Sequence, residues 1–178
     1  MSDSNFSTYF YVQNNPLISN GANEEQILAE VSKNKIEAVV LHFSASSYDN
    51  VDFVNRLVKF LDLMEAIEVN VFLIAPIPAS EFHIPELMIR MVREPSYETS
   101  PIKLSDYHAS SNQFFEFIKS EKIEDKFILY PHLVMCPGDF CLYEKKGVPF
   151  YFDEHHLTLT GARQLAPLFI DLANRMRR

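Results

Sequence analysis

Two hydrophobic periods alternate along the chain, short apolar runs of strand length and longer stretches with an apolar residue every three or four positions. Residues 6–12, Phe-Ser-Thr-Tyr-Phe-Tyr-Val, are aromatic and β-branched and predict a short strand closed by an Asn-Asn-Pro turn. Asn23 then reads as a helix cap, with acidic residues in the first turn and Ile27, Leu28 and Val31 on one face of a helix ending near Asn34. The run from Glu37 to Phe43 predicts a strand covered on both faces, as in a parallel sheet. Asn50 or Asp52 can cap the next helix, whose apolar positions Phe53, Val54, Leu57, Val58, Leu61, Leu63 and Met64 recur at helical spacing to about Ala66. A second buried strand, Val69 to Ala75, is ended by Pro76 and Pro78.

The second half continues the rhythm. A short helix is expected from Ile84 and a polar loop over 95–101. Another helix, starting at Ser105 or Asp106, carries Phe114, Phe115, Phe117 and Ile118, and a third strand spans Phe127 to Leu133. The closing helix starts near Thr158 with Leu159, Ala162, Leu165, Ala166, Phe169, Ile170 and Ala173 on its apolar face. Pro167 inside it predicts a kink. The order β-α-β-α-β-α-α-β-α, without repeats or a linker, predicts one α/β domain over residues 1–178 with a mainly parallel sheet.

Composition narrows the function classes. With 178 residues, 47% hydrophobic content and 13% aromatics, the chain can bury an ordinary core. A net charge of −8, with basic residues clustered only at Arg175 to Arg178, excludes a nucleic-acid footprint or a polybasic membrane face. No run approaches the roughly 18 apolar residues of a membrane span. The first residues, Met-Ser-Asp-Ser-Asn, lack the charged and apolar regions of a signal peptide.

Candidate chemistry gathers near the end, in Cys136-Pro-Gly-Asp-Phe-Cys141 and then Val148-Pro-Phe-Tyr-Phe-Asp153-Glu-His-His156-Leu-Thr158-Leu-Thr-Gly161-Ala162. A carboxylate three residues before a histidine, on the turn into a helix, can set the imidazole tautomer and stabilise the imidazolium that forms when the ring takes a proton. The plainer reading is a solvated acidic turn capping a helix. Glu154 and His155 are expected to face solvent. A metal site on this turn is disfavoured because adjacent residues rarely point at one ion, and neither a metal nor a cofactor is called for. Cys136 and Cys141 can form a disulfide or remain free thiols; zinc is a weaker reading, since no other ligands stand at zinc spacing. His42, His83, His108 and His132 are scattered singly, with His42 and His132 on expected strands, and read as structural; the Phe114, Phe115, Phe117 cluster reads as core.

Asp-x-x-His-Leu-Thr followed by Gly-Ala, preceded by the cysteine pair and an aromatic Pro-Phe-Tyr-Phe run, resembles the last block of the SGNH (GDSL-like) hydrolases. It is most similar to the C-terminal SGNH domain of acyltransferase-3 type membrane O-acyltransferases. The resemblance implies a three-layer α/β/α, flavodoxin-type domain and a serine esterase or O-acyltransferase acting on small acyl esters, such as acetyl esters, of a carbohydrate-like acceptor. The alternative it leaves is an inactive remnant that binds a partner or ligand. It implies Asp153 as acid and His156 as base, Thr158 as helix cap, and a disulfide between Cys136 and Cys141. It further implies an extracytoplasmic or lumenal location and a membrane acyltransferase domain in the parent protein.

The family's nucleophile stands in a Gly-Asp-Ser block ending its first strand. Only Ser2-Asp3-Ser4-Asn5 compares, so Ser4 is the candidate, although Ser2 replaces the glycine and no strand precedes it. Gly21 and Asn50 are the oxyanion candidates by position, each also readable as a turn or cap residue. If residues 6–12 are the family's second strand, its first is missing. The chain is then expected to be the C-terminal part of a longer protein, a truncated product, or a domain completed differently.

Overall fold

The computed structural model describes residues 9–10, 24–97 and 102–176. The chain divides into two compact units: residues 1–75 with 113–129, and residues 76–112 with 130–178.

The first unit is built on a four-stranded, wholly parallel sheet, which establishes the expected α/β class. Its strands β1 (Tyr9–Phe10), β2 (Ala38–His42), β3 (Asn70–Ile74) and β4 (Ile128–Leu129) lie side by side in chain order. The register pairs Tyr9 with Val39, Ala38 with Asn70 through His42 with Ile74, and Leu73 with Ile128. A doubly wound sheet reverses direction beside its first strand and binds ligands at that reversal. Among the described strands there is no such reversal.

Helix α1 (Glu24–Asn34) leads into β2, and α2 (Val51–Ala66) leads into β3. Of the apolar positions read for α2, Phe53, Leu57 and Met64 are buried and the rest are half-buried, while Phe60, which was not among them, completes a buried stripe at spacings of four, three and four. Asn50 caps α2, its Oδ1 accepting the Phe53 N–H at 3.1 Å. A 3₁₀ turn over Ala45–Asp49 places Tyr48 in an aromatic cluster with Phe43, Phe53, Phe114 and Phe117, ring centroids 4.8 to 6.4 Å apart. Phe114 and Phe117 are therefore core, as their spacing implied.

The second unit carries α3 (Ile84–Arg93), α4 (Leu104–Ser110), α6 (His132–Met135), a hairpin of β5 (Glu144–Lys145) and β6 (Val148–Pro149), α7 (Leu159–Gln164) and α8 (Ala166–Met176); α5 (Asn112–Ser120) runs from it into the first unit. Its core joins Ile84, Leu87, Ile102, Met135, Phe150, Tyr151 and Leu165. Cys136 and Cys141 are linked by a disulfide buried within that core. The loop they close is pinned from outside, because Cys141 N–H donates to the Ile102 carbonyl at 2.9 Å and Leu104 N–H to that of Asp139 at 2.9 Å.

Three expected elements are differently cut. The helix expected through Ile118 breaks at Ser111, whose ψ of 8° leaves helical geometry and separates α4 from α5. The strand expected over Phe127 to Leu133 is paired only at Ile128–Leu129. Pro131 adopts helical angles (φ −54°, ψ −36°) and starts α6, so His132 stands on a helix and not on a strand. The closing helix divides at Leu165, which leaves Pro167 in the first turn of α8, where its missing N–H has no helical partner to lose.

Candidate active site

The Asp153 turn is held at its base by buried aromatics. Phe150 and Tyr151 are each 0% exposed. Tyr151 pairs with Leu157 across the turn in an antiparallel bridge, and Phe152 N–H donates to the His156 carbonyl at 2.7 Å. From below, the segment after Pro78 fixes the turn at three points. The Tyr151 hydroxyl donates to the Pro78 carbonyl at 2.7 Å, Ser80 N–H to the Glu154 carbonyl at 2.8 Å, and Ile84 N–H to the Asp153 carbonyl at 3.3 Å. Apart from the two prolines that end the preceding strand, no local motif marks these tethers.

Helix α7 locks the turn from the other side. Thr158 caps it, accepting the Gly161 N–H at 3.1 Å while its own hydroxyl donates to the Pro149 carbonyl at 2.9 Å. The helix lies so close to the aromatic segment that a Cβ on Gly161 would overlap the Phe150 carbonyl oxygen and sit 2.9 Å from its carbon. Only glycine permits this approach.

On this frame Asp153 and His156 meet. Asp153 Oδ2 lies 2.7 Å from His156 Nδ1, and Oδ1 accepts the backbone N–H groups of His155 at 2.8 Å and His156 at 2.7 Å. Partial burial pushes the Asp153 carboxyl upward, but the two backbone donors, the His156 side-chain bond and the His156 charge outweigh it and hold the group far below the usual carboxylate range. An ionised carboxylate only accepts, so Nδ1 carries the proton and Nε2 keeps its lone pair. The His156 side chain is 47% exposed, and Nε2 makes no hydrogen bond among the described residues. Such a ring can take a proton from an incoming hydroxyl.

Other candidates are placed as follows. His155 is exposed, and Glu154, expected to face solvent, is half-buried with its carbonyl used by Ser80. Asn50 Oδ1 is engaged in the α2 cap. Ser4 and Gly21 lie outside the described residues. The turn is tighter than expected of sequence neighbours, since one ligand atom from each of Asp153, His155 and His156 lies within 4.8 Å of the others.

Residues 6–171 match the model of the SGNH domain fused to AT3 domains. The chain belongs to the SGNH domain family. Among solved structures, the SGNH domain is similar to the periplasmic domain of a lipopolysaccharide acetyltransferase from Salmonella ser. Paratyphi A, with a TM-score of 0.62 and 16% identity over 86% of this chain and 62% of that one. It therefore spans less than two thirds of that neighbour's length. An acetyl xylan esterase, AlAXEase, aligns with a TM-score of 0.45 and 14% identity over 85% of this chain and 76% of that chain. No curated protein matches the sequence. The likeness to the Salmonella domain establishes the SGNH-like α/β fold that the sequence implied. No described helix is long and apolar enough to cross a membrane.

Proposed function

We propose that this SGNH domain is a serine esterase or O-acyltransferase module that moves a small acyl group, acetyl in the first instance, to or from a hydroxyl of a carbohydrate-like acceptor. The carrying observation is the 2.7 Å contact between Asp153 and His156, which leaves Nε2 as a free base. A serine hydroxyl, Ser4 by pattern, attacks the acyl carbonyl while its proton passes to Nε2, and Asp153 stabilises the imidazolium. Collapse of the tetrahedral species expels the alkoxide, which takes that proton, and leaves an acyl-serine. Water or an acceptor hydroxyl then repeats the sequence in reverse roles. The name of the Salmonella neighbour supports an acetyl group and a location outside the cytoplasm. The family description supports a membrane acyltransferase domain as partner.

A second reading is a non-catalytic SGNH domain. It is favoured by one observation, that among the described residues no hydroxyl bonds Nε2 of His156. A serine-reactive fluorophosphonate probe separates the two. The enzyme reading expects labelling that disappears in both Ser4→Ala and His156→Ala. Labelling that survives Ser4→Ala but not His156→Ala moves the nucleophile to another serine, and folded protein that takes no label supports the binding domain.

A further inference from the structure

The ring of His155 has no part in the proposed chemistry, yet it sits against the ring that does. The two imidazole centroids are 4.1 Å apart, and His155 Nδ1 is 3.9 Å from Asp153 Oδ1. Both rings are exposed, with the His155 ring making no hydrogen bond among the described residues, while the backbone beneath is fixed by the Ser80 and Ile84 tethers. We propose that Asp153, His155 and His156 form a binding site for a transition-metal ion of the Zn²⁺ class, and that the ion and the catalytic form of His156 exclude one another.

The geometry is near what such an ion requires. Zinc bonds imidazole nitrogen and carboxylate oxygen at about 2.0–2.2 Å, so neighbouring ligand atoms around it stand about 3.4 Å apart. The three groups offer ligand atoms within 4.8 Å of one another, so rotation of two exposed rings by roughly an ångström closes the set without moving the tethered backbone. Two imidazoles and one carboxylate suit Zn²⁺, Cu²⁺ or Ni²⁺ and are a poor match for Mg²⁺, which takes oxygen donors. The disulfide removes both cysteines from competition.

Exclusion follows from the tautomer. In the acid-base pair, His156 Nδ1 donates to Asp153 and Nε2 is the acceptor. An ion between Asp153 and His156 takes the Nδ1 lone pair, so the ring proton must reside on Nε2. The atom that would accept the serine proton then already carries one. Metal binding itself does not depend on the hydrolase reading; only its inhibitory consequence does.

Calorimetric titration of the full chain with ZnCl₂ is expected to show one saturable site per chain. That site should weaken at least about tenfold in His155→Ala. It should persist in His132→Ala, and MgCl₂ should give no saturable heat. Long-range nitrogen-proton NMR is expected to show the His156 proton moving from Nδ1 to Nε2 as zinc is added, a readout independent of turnover. If the fluorophosphonate labels the protein, zinc should suppress labelling in the wild type and not in His155→Ala. The absence of a saturable zinc site, or equal affinity in His155→Ala, overturns the proposal even where labelling stands. Loss of labelling ability with the zinc site intact overturns the esterase reading alone.

Discussion

Gly161 shows at the residue level how packing overrides local preference. Within a helix, replacing glycine by alanine ordinarily stabilises by about 0.5–1 kcal/mol. Here the added carbon would overlap the Phe150 carbonyl oxygen, a backbone atom held by the Thr158 N–H at 2.8 Å. Neither side can yield without shifting the segment that carries Tyr151 and Asp153. Gly161→Ala is therefore expected to lose about 2 kcal/mol, within the usual range for forcing extra volume into a packed site. Urea unfolding measures it, and a variant as stable as the wild type would mean that α7 does not approach so closely. The glycine was visible in the sequence as part of a family motif, but its reason was not, because close approach is a relation between two segments.

Helix ends show at the level of elements that a boundary can be legible while its mechanism is not. Two starts were legible: Asn50 and Thr158 are polar residues before apolar periods, and both cap as expected, whereas the helix expected from Ser105 or Asp106 starts at Leu104, behind Lys103, with no side-chain cap. The ends near Asn34 and Ala66 were legible from where the apolar period stops, but the way they close was not, because a chain with four glycines in all cannot mark them in the usual way. Three helices instead finish with a charged residue in the left-handed region, Lys35 (φ 50°), Glu68 (φ 58°) and Lys122 (φ 53°). Each makes the same pair of bonds. Ile36 N–H reaches the Val31 carbonyl, Val69 that of Met64 and Ile123 that of Ile118, while the charged residue itself donates three residues back. A non-glycine residue in that region costs roughly 1–2 kcal/mol, partly offset by the looser unfolded chain that glycine brings. Glu68→Gly, at an exposed position, should thus raise stability by about 0.5–1 kcal/mol. The urea midpoint should rise with an unchanged slope, and a lowered midpoint would show that Glu68 holds its conformation through its side chain. The splits at Ser111 and Leu165 were illegible for a related reason: buried positions keep helical spacing across each break, at Tyr107, Phe114 and Phe117 and at Gly161, Leu165 and Leu172.

For the whole molecule, the acid limb of the stability curve joins strand packing to site chemistry. The buried runs of β2 and β3 were readable because parallel strands are apolar on both faces, and so was the Asp153–His156 pair of the candidate site, because the two residues are close in sequence. His42, single and on an apolar run, reads as a structural strand histidine. The structure puts it at the end of β2 opposite Ile74, with Nε2 buried and unpaired among the described residues. Burial lowers its pKa from 6.5 to about 4. Above pH 6.5 the ring is neutral in both folded and unfolded chains and stability does not depend on it. Between pH 6.5 and 4 the unfolded chain binds a proton that the folded chain refuses, so stability falls as pH falls through that window. The loss between pH 7 and pH 4.5 is about 2 kcal/mol from this residue, a sizeable share of a domain stability of roughly 5–15 kcal/mol. His132, lowered by burial and by the His108 charge, acts in the same direction. Asp153, whose pKa is depressed, keeps its contribution through this window and loses it only at more acid pH, below its unfolded value. Urea unfolding at pH 7, 5.5 and 4.5 should show His42→Leu losing markedly less stability on acidification than the wild type. Parallel curves for the two proteins would place the acid sensitivity elsewhere, with His132→Leu the variant to examine next.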